Sequence, residues 1–451
     1  MQQQLAHYKT ITVLGFGLTG MSCVRYLLAQ GIRPIVLDTR ATPPGAELAP
    51  ELVVQAECYF GGLQLEHLLQ ADLLLVSPGI DRRGTLLTIA ADAGVVMISD
   101  IELFAWQVAV PLVGVTGSNG KSTVVNLTTH ILRANGLQAI AAGNIGTPVL
   151  DCLLPDAELA DCFVLELSSF QLELVQSLQL KAAAILNISS DHLDRYDDER
   201  SYERAKHRIY QNTEMCIWNR DDGKTKPLFR KQGMQQISFG SSAAAKGYGI
   251  TRTGSELAIT YDNRSILLAN ELPLNGVHNL LNVQAALALA QALGLSMAAA
   301  IAGIAGYQSL PHRCERIGEF NQVTWIDDSK ATNPGAAIAA IEGMRPTVSG
   351  KLILIAGGDA KGADLAVLEP VLSQVDELIT LGRDGSKIAE LKANSRQVQG
   401  LNEAVAYAAN VATPNSMVLL SPACASLDMF ENYADRGARF KKAVEAWYAL
   451  S

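Results

Sequence analysis

The sequence predicts an α/β protein of three domains, each built around a parallel sheet flanked by helices. Apolar, strand-like runs alternate with helical segments along the whole chain, as in parallel sheets with right-handed crossovers. Glycine-rich turns follow two of the predicted strands, at 15–20 and 117–120. The length of 451 residues allows two to four domains at about 100–200 residues each.

The first block, residues 1–100, reads as strand, turn, helix and strand, followed by further strands. Its first strand is a β-branched run ending in glycines, and the next segment, 21–31, has helical spacing and ends at Gly31. The predicted strands lie within 10–20, 33–38, 71–80 and 90–100.

The second block, 101–309, and the third, 310–451, repeat this alternation without a sequence repeat. In the second, a Gly-rich β stretch at 238–270 precedes Ala-rich helices that end near 307. Strands of the second block are predicted at 111–116, 161–167 and 181–189, and those of the third at 323–328, 351–358, 377–382 and 416–422. We place the domain boundaries near residues 100 and 310.

Composition excludes several classes of protein. Hydrophobic residues make up 49% of the chain and charged residues 18%, with a net charge of −9. This balance excludes a disordered chain and argues against a general nucleic-acid binder, which is usually basic. The seven cysteines include no CxxC pair, so we predict scattered reduced thiols rather than a zinc site or a disulfide framework.

One segment approaches membrane length. No Asp, Glu, Lys or Arg occurs from Leu272 to His312, but the part of about membrane length, 286–306, is mostly Ala and Gly. Gly294 and Ser296 read as a helix end followed by an N-cap, so we predict two short buried helices. The N-terminal residues lack the pattern of a signal peptide, and we expect a cytoplasmic protein without a membrane partner.

The strongest chemical motif is GVTGSNGKST at 114–123. A Gly-rich turn between a strand and a helix directs backbone N–H groups at phosphate oxygens. Lys121 would reach the β- and γ-phosphates and Ser122 would offer a hydroxyl to Mg²⁺. The strict pattern requires glycine where this chain has Val115, so the match is to the GK[ST] end. The alternative is a Gly-rich turn with a solvated lysine.

A second motif, GFGLTG at 15–20, follows the first strand, and Asp38 ends the second strand. This pattern matches the dinucleotide fingerprint and predicts a Rossmann-like domain that binds the pyrophosphate of some nucleotide. The alternative is close helix–sheet packing without a ligand.

Polar groups follow further strands of the second block. Glu166 ends the strand DCFVLEL, and Asp191, His192 and Asp194 follow the strand ending ILNIS. Ligands bind beyond the carboxyl ends of parallel strands, and carboxylates with substrate phosphates suit Mg²⁺. By composition alone, Lys206 in SYERAKHRIY reads as a solvated helix lysine.

The third block carries basic and hydroxyl groups at its strand ends, which suit the recognition of carboxylate or phosphate. These groups lie in the segments PHR at 311–313, DDSKATNP at 327–334, GGDAK at 357–361 and SPACASLD at 421–428.

With these motifs in place, the chain resembles the Mur ligases of peptidoglycan synthesis over nearly its whole length. The collinear motifs include GLTG, SPGI, GVTGSNGKST, AGNIG, LELSSFQLE, NISSDHLDRY, YERAKHRIY, HNLLNVQAAL, LPHR, DDSKATNPG, GGDAKGADL and SPACASLDMFENY. The resemblance is strongest to the members that add D-glutamate. It implies a Rossmann-like N-terminal domain, a central P-loop ATPase-like α/β domain and a Rossmann-like C-terminal domain.

The resemblance implies binding sites for two nucleotides. The N-terminal domain would hold a UDP-linked substrate rather than a nicotinamide. Substrate-binding residues would be Leu18, Thr19, Asp38, Thr39, Ser77 with Pro78 and Gly79, and Asn144. ATP would be bound by Gly117, Ser118, Asn119, Gly120, Lys121, Ser122, Thr123, Asn279, Asn282, Arg313 and Asp328.

It also implies two Mg²⁺ ions and a site for D-glutamate. Ser122 and Glu166 would hold one ion, and His192 would hold the second together with a carbamylated Lys206. The catalytic residues would be Lys121, His192, Lys206 and Lys330. D-Glutamate would be bound by Thr332, Lys361, Ser426 and Tyr433. Two departures from the family pattern are Asp327, where Asn is common, and Tyr433, where Phe is familiar.

The implied reaction is the ATP-dependent joining of D-glutamate to UDP-N-acetylmuramoyl-L-alanine through an acyl phosphate. An acyl phosphate hydrolyses in water, so we expect the C-terminal domain to close over ATP about a hinge near 308–313. We expect a monomer that binds no nucleic acid. The alternatives are a nicotinamide dehydrogenase, a P-loop regulatory or transport ATPase, another Mur ligase or a folate-polyglutamating relative.

Overall fold

We describe the protein from a computed structural model, which covers residues 5–189, 191, 195–229, 231–254, 256–274 and 276–449. The chain forms two compact units, each described below by itself. The first comprises the described residues of Met1–Ile188, Arg200–Phe239 and Ala285–Ile304, and the second those of Ser189–Glu199, Gly240–Gln284 and Ala305–Ser451. The predicted boundaries near residues 100 and 310 stay predictions.

The first unit contains two parallel sheets. The strands of the N-terminal sheet are β1 (Ile11–Leu14), β2 (Ile35–Asp38), β3 (Glu57–Phe60), β4 (Leu73–Val76) and β5 (Val96–Ile98). Their spatial order is β3-β2-β1-β4-β5. The helices of this part are α1 (Leu18–Ala29), α2 (Pro44–Leu48), α3 (Pro50–Gln55), α4 (Leu65–Gln70), α5 (Thr85–Asp92) and α6 (Asp100–Gln107).

The central sheet has six parallel strands. They are β6 (Leu112–Thr116), β7 (Ala139–Gly143), β8 (Cys162–Glu166), β9 (Leu180–Ile185), β10 (Thr213–Asn219) and β11 (Gln235–Phe239), in the order β11-β10-β9-β6-β8-β7. Its helices are α7 (Lys121–Ala134), α8 (Ser169–Leu172) and α9 (Glu199–His207). Both β6 and β8 are buried along their whole length, which explains their continuous apolar sequences.

The second unit contains an antiparallel sheet and a mixed sheet. The antiparallel strands are β12 (Tyr248–Thr253), β13 (Glu256–Tyr261) and β14 (Arg264–Leu268). The mixed sheet consists of β15 (Glu315–Phe320), β16 (Val323–Asp327), β17 (Leu352–Gly357), β18 (Glu377–Leu381), β19 (Arg396–Gln397) and β20 (Ser416–Leu420). Its order is β15-β16-β20-β17-β18-β19, and β15 is antiparallel to β16.

Helices pack on the mixed sheet through alternate residues of its strands. Ile353 and Ile355 face a core with Phe440, whereas Leu352 and Leu354 face another core with Ile341 and Leu372. A strand buried on both faces separates two cores in this way. The helices are α12 (Pro334–Met344), α13 (Glu369–Leu372), α14 (Gly385–Ala389), α15 (Leu401–Val411) and α16 (Tyr433–Ala449).

The Ala-rich segment forms two helices, as predicted, but in the second helix only Ala300 is buried. These are α10 (Val277–Ala292), which contributes residues to both units, and α11 (Met297–Ala302). Gly294 has φ +97°, and the Ser296 side chain caps α11 by accepting from the Ala299 N–H at 3.2 Å. Among the described residues, no helix combines the length and apolar composition that crossing a membrane requires. The seven cysteines are free, as predicted.

The predicted strands are confirmed, with shifts of a few residues at their ends. Some strands were not predicted, among them β3, β7, β10 and the antiparallel edge strand β15. The sequence of β15, ERIGEF, has three charged residues among its six and is only partly buried, because an edge strand packs against fewer neighbours. Short 3₁₀ turns lie at Leu5–His7, Asp151–Leu153, Arg208–Tyr210, Gly223–Thr225, Ala269–Glu271, Arg345–Thr347 and Ala366–Leu368.

Candidate active site

The loop Gly117–Gly120 joins β6 to α7 in the predicted order of strand, glycine turn and helix. Gly117 has φ +154° and Gly120 has φ +83°, conformations that glycine adopts at little cost. A Cβ at Gly117 would also lie 3.3 Å from the Asn187 carbonyl oxygen. The first turn of α7, which includes Thr123, offers the N–H groups and positive dipole end that attract phosphate.

Asn187 was not among the predicted site residues. It lies just after β9 and holds this loop through hydrogen bonds. Its carbonyl oxygen accepts from the Ser118 N–H at 2.9 Å. Its side chain accepts from the Asn119 N–H at 2.8 Å and donates to the Asn119 carbonyl at 3.1 Å. Asn187 follows β9, which pairs with β6. Only the strand order reveals this proximity, since the two segments are far apart in the chain.

Lys121, the first residue of α7, folds back over the loop. Its ammonium donates to the carbonyl oxygens of Gly117 at 2.8 Å and Ser118 at 2.9 Å. A cation is therefore held over the turn where phosphate is predicted to bind. The contact of Lys121 with the β- and γ-phosphates stays a prediction.

Ser122, Glu166 and Asn144 lie together at the carboxyl edge of the central sheet. The Ser122 hydroxyl donates to Glu166 Oε2 at 2.6 Å, and the Asn144 amide donates to Oε1 at 3.0 Å. Glu166 is 2% exposed. A hydroxyl and a buried carboxylate are hard oxygen ligands of the kind that Mg²⁺ prefers, so this pair fits the ion predicted there.

Lys206 on α9 is buried, with 2% of its surface exposed. Its ammonium donates to the Gly117 carbonyl at 2.9 Å and lies 4.4 Å from the centroid of the Tyr202 ring. The Tyr202 hydroxyl contacts Ser118 Oγ at 3.1 Å. The interpretation of Lys206 as a solvated helix lysine is therefore wrong. Composition could not reveal its burial, because α9 is strongly polar and turns this residue inward.

The other predicted metal ligand, His192, lies outside the described residues, as does Asp194. Asp191 is described and is partly buried. The pairing of His192 with Lys206 stays a prediction.

The glycine motif of the N-terminal sheet forms a tight turn between β1 and α1. Gly15 has φ +87°, and its N–H donates to the Leu37 carbonyl at 2.8 Å. A Cβ at Gly20 would lie 1.9 Å from the Gly15 carbonyl oxygen, so α1 can approach the turn only with glycine there. The Ser77 hydroxyl donates to the same oxygen at 3.1 Å.

The Asp38 carboxylate is buried and accepts hydrogen bonds from other groups of this protein. It accepts from the Phe16 N–H at 2.7 Å, and Arg40 donates to both of its oxygens at 2.9 and 2.7 Å. Burial alone would raise the pKa of Asp38, but the Arg40 and Phe16 hydrogen bonds outweigh it and lower the pKa. Arg40, two residues along, was not selected because an exposed arginine after a strand carries no distinct signal.

The remaining substrate-binding candidates lie near this carboxyl edge. Leu18 and Thr19 begin α1, Thr39 follows β2, and Ser77 follows β4, with β2, β1 and β4 adjacent. Leu18 is 69% exposed. A large apolar side chain that is exposed to solvent beside this glycine turn is suited to contact the flat base of a nucleotide.

In the second unit, the candidate residues follow three neighbouring strands. Asp328, Lys330 and Thr332 follow β16, Ser426 follows β20 and Lys361 follows β17. Residues Asp359 and Ala425 exchange backbone hydrogen bonds at 3.0 and 2.8 Å, which brings Lys361 and Ser426 near each other. Lys361 is exposed and has φ +49°, a conformation uncommon for a residue with a side chain.

Two further groups of candidates lie in this unit. Asn279 and Asn282 are buried on α10, and the Asn282 amide donates to Asn279 Oδ1 at 3.1 Å. Near β15, ligand atoms of His312, Glu315 and Asp327 lie within 4.8 Å of one another. Hydrogen bonds of 2.8 Å from the His312 N–H to Glu315 and 2.7 Å between His312 Nδ1 and Asp327 account for this proximity.

Asp328 is a buried carboxyl group at the end of β16. It accepts from the Ser421 hydroxyl at 2.7 Å and from the Cys314 N–H at 3.2 Å. Burial raises its pKa to about 7, although these hydrogen bonds and the nearby charge of Arg313 act in the opposite direction.

The raised pKa of Asp328 predicts a pH-dependent stability. Between about pH 4 and pH 7 the folded chain retains a proton on Asp328 that the unfolded chain has released. The free energy of unfolding therefore falls as the pH rises through this range. Relative to Asp328→Asn, the native chain should lose about 1–3 kcal/mol between pH 5 and pH 8. Urea unfolding of both proteins at each pH checks this. If the difference in unfolding free energy between the two proteins did not change with pH, the prediction would be contradicted.

Comparisons with known proteins agree with this arrangement. Three family profiles match the chain: "Mur ligase MurD-like, N-terminal domain" over 9–99, "Mur ligase middle domain" over 115–290 and "Mur ligase, glutamate ligase domain" over 312–424. Solved structures with a similar fold include MurC of Thermotoga maritima (TM-score 0.61, 17% identity, 98% of this chain and 100% of that one). Another is MurF of Acinetobacter baumannii (TM-score 0.63, 19% identity, 96% and 93%).

Curated relatives are similar along nearly the whole chain. The UDP-N-acetylmuramoylalanine–D-glutamate ligase of Idiomarina loihiensis is 46% identical over 98% of both chains. The ligases of the same name from Shewanella oneidensis and Escherichia coli K12 are 44% and 43% identical, over 99% and 96% of this chain and 99% and 97% of theirs. With these full-length matches and three family profiles that together cover most of it, the chain belongs to the Mur ligase family.

Proposed function

We propose that this chain is an ATP-dependent ligase that joins D-glutamate to UDP-N-acetylmuramoyl-L-alanine in the synthesis of peptidoglycan precursors. The structural observation that carries the proposal is the central loop, where Lys121, the Ser122–Glu166 pair and buried Lys206 surround one turn. The full-length similarity to ligases of this name supports the choice of substrates. The proposal further includes that the enzyme is a monomer and acts in the cytoplasm.

The chemistry explains why such a site needs cations. A carboxylate does not react with an amine at neutral pH, because oxide is a poor leaving group. The alanyl carboxylate therefore attacks the γ-phosphorus of ATP, which releases ADP and leaves an acyl phosphate. The amine of D-glutamate then adds to the acyl carbon, loses a proton and expels phosphate, leaving an amide.

Phosphoryl transfer requires two anions to approach each other. At about 4 Å their repulsion is about 4 kcal/mol for an effective dielectric constant near 20. The proposal assigns the role of offsetting this repulsion to Lys121, bound over the loop, and to Lys330, after β16. Positioned cations that offset developing charge lower the barrier without reorganising at the moment of reaction.

The proposal includes two Mg²⁺ ions, and the Ser122–Glu166 pair fits one of them. Ser122 and Glu166 would hold one, and His192 with a carbamylated Lys206 would hold the other. Carbamylation gives lysine a carboxylate-like head. When bound, Mg²⁺ would neutralise phosphate charge.

The proposal assigns the remaining candidates to the substrates. The UDP-linked substrate contacts Leu18, Thr19, Asp38, Thr39, Ser77 and Asn144. D-Glutamate contacts Thr332, Lys361, Ser426 and Tyr433. ATP is further contacted by Asn279, Asn282, Arg313 and Asp328. No nucleic acid or membrane takes part.

Phosphate release from ATP tests the proposal. The native chain is incubated with ATP, Mg²⁺ and UDP-N-acetylmuramoyl-L-alanine across a panel of amino acids, and products are identified by mass spectrometry. Release that requires D-glutamate, with a glutamyl adduct as product, supports the whole proposal. Dependence on a different amino acid would retain the mechanism but change the substrate. Release without any amino-acid dependence would favour the ATPase alternative.

A further inference from the structure

The first turn of α16 packs against the loop that follows β16, and this contact involves Lys330. We infer that Tyr433, supported by His312 and Asp327, positions the Lys330 ammonium for acyl-phosphate formation. Tyr433 would thus serve the phosphorylation step, besides any contact with the amino acid. The inference rests on the proposed function.

The first observation is the contact between Lys330 and Tyr433. The Lys330 ammonium lies 3.8 Å from the centroid of the Tyr433 ring, well inside the range of about 6 Å for cation–π attraction. The aromatic face attracts the ammonium and so restricts its position beside the loop.

His312 supports the same pair from a second side. Its carbonyl oxygen accepts from the Lys330 N–H at 3.1 Å. Its ring meets the Tyr433 ring edge to face, with centroids 6.1 Å apart and planes at 80°. Nδ1 of His312 is 2.7 Å from Asp327 Oδ2. His312 is therefore fixed at the base of the loop. Its backbone carbonyl accepts from the Lys330 N–H, and its imidazole contacts the ring beneath the Lys330 ammonium.

The next turn of α16 packs closely against this loop and donates hydrogen bonds to it. A Cβ at Gly437 would lie 2.2 Å from His312 Nδ1 and 2.4 Å from Asp327 Oδ2, so the helix approaches this closely only with glycine there. Arg436 is buried and donates to the carbonyl oxygens of Ser329 at 2.8 Å and Cys424 at 3.1 Å. The ring of Tyr433 is thus held by a rigid element.

Asp327 and Tyr433 both contact His312 in this cluster. Asp327 supplies a carboxylate to His312, and Tyr433 supplies the ring beneath Lys330. Each holds a neighbour of the reacting groups rather than a reacting atom, so both are positioning residues.

Trapping the acyl phosphate tests the inference separately from amino-acid binding. Native chain, ATP and UDP-N-acetylmuramoyl-L-alanine are mixed without D-glutamate, and hydroxylamine converts the acyl phosphate to a hydroxamate and phosphate. Tyr433→Leu should lower the rate of trapping about five- to thirtyfold, the loss expected for a partly buried cation–π contact. Tyr433→Phe, which retains the ring, should recover most of that loss.

Two further variants sharpen the test. In a Lys330→Ala background, Tyr433→Leu should lower the trapping rate by a further factor of less than about two, because the ammonium that the ring contacts is already absent. Tyr407→Leu is the matched control, since it removes a cation–π contact of Arg396 at 5.5 Å in the same unit. It should trap at the native rate.

The outcomes are distinguishable. A native trapping rate in Tyr433→Leu with a raised KM for D-glutamate would overturn the inference and make Tyr433 a pocket residue only. Equal losses in the Leu and Phe variants would also overturn it, because the ring would not matter. If the native chain itself traps no hydroxamate while Mg²⁺ and both substrates are present, the proposed function fails instead.

Discussion

Lys121→Ala should reduce ATP-dependent product formation by about 100- to 1,000-fold, the range for removing one preorganised charge from a reacting centre. The ammonium lies over the glycine turn, held by the Gly117 and Ser118 carbonyls, where phosphate is expected to bind. Its loss leaves the repulsion between carboxylate and γ-phosphate uncompensated. The measurement is the initial rate of glutamyl product at saturating ATP.

Lys181→Ala provides the matched control for Lys121. Lys181 lies on β9 in the same unit, and its ammonium pairs at the surface with Glu214 at 2.7 Å. Exposed ion pairs contribute only about 0–1 kcal/mol, so this variant should keep the native rate. An unchanged rate of product formation in Lys121→Ala would contradict the assignment of the loop Gly117–Gly120 to phosphate binding.

Lys206→Ala should lose about 100-fold or more of the activity, and bicarbonate should not restore it. The variant has no amine to carbamylate, so added bicarbonate cannot rebuild the carboxylate-like head. The substitution leaves a cavity beside the Gly117 carbonyl, and a short carboxylic acid such as acetate should restore part of the rate by supplying the missing oxygens. The measurement is the product rate against acid concentration.

The native chain provides a second readout for Lys206. Labelled bicarbonate should give a carbamate signal that is absent from Lys206→Ala, and removal of carbon dioxide should lower the native rate. Full activity of Lys206→Ala without any added acid would contradict a ligand role. Loss of activity without acid rescue, and without a carbamate signal in the native chain, would make Lys206 a structural support for the turn.

The strands and the chemical motifs could be predicted because their signals are local. Buried parallel strands such as β6 and β8 read as continuous apolar runs. Glycines at 117 and 120 mark a backbone that other residues adopt only with strain. The edge strand β15 escaped prediction because one partner strand and partial burial demand little of its composition.

The contacts that organise the site could not be predicted in the same way. Asn187 reaches the loop only because β9 pairs with β6. Arg40 donates to both oxygens of Asp38, a carboxylate that the sequence motif predicts to bind a substrate. Each contact depends on the direction of a side chain after the strand ends, and spacing along the chain carries no such information.

By itself, the sequence determined the fold class, the order of strand, glycine turn and helix, and the family resemblance, since these depend on residue periodicity and motif order. Tertiary structure alone decided that Lys206 is buried beneath the loop and that Ser122 and Glu166 share a hydrogen bond. It also decided that Tyr433 lies beneath the Lys330 ammonium. These facts arise when strands distant in sequence bring their carboxyl ends to one edge, because burial and charge pairing depend on that packing.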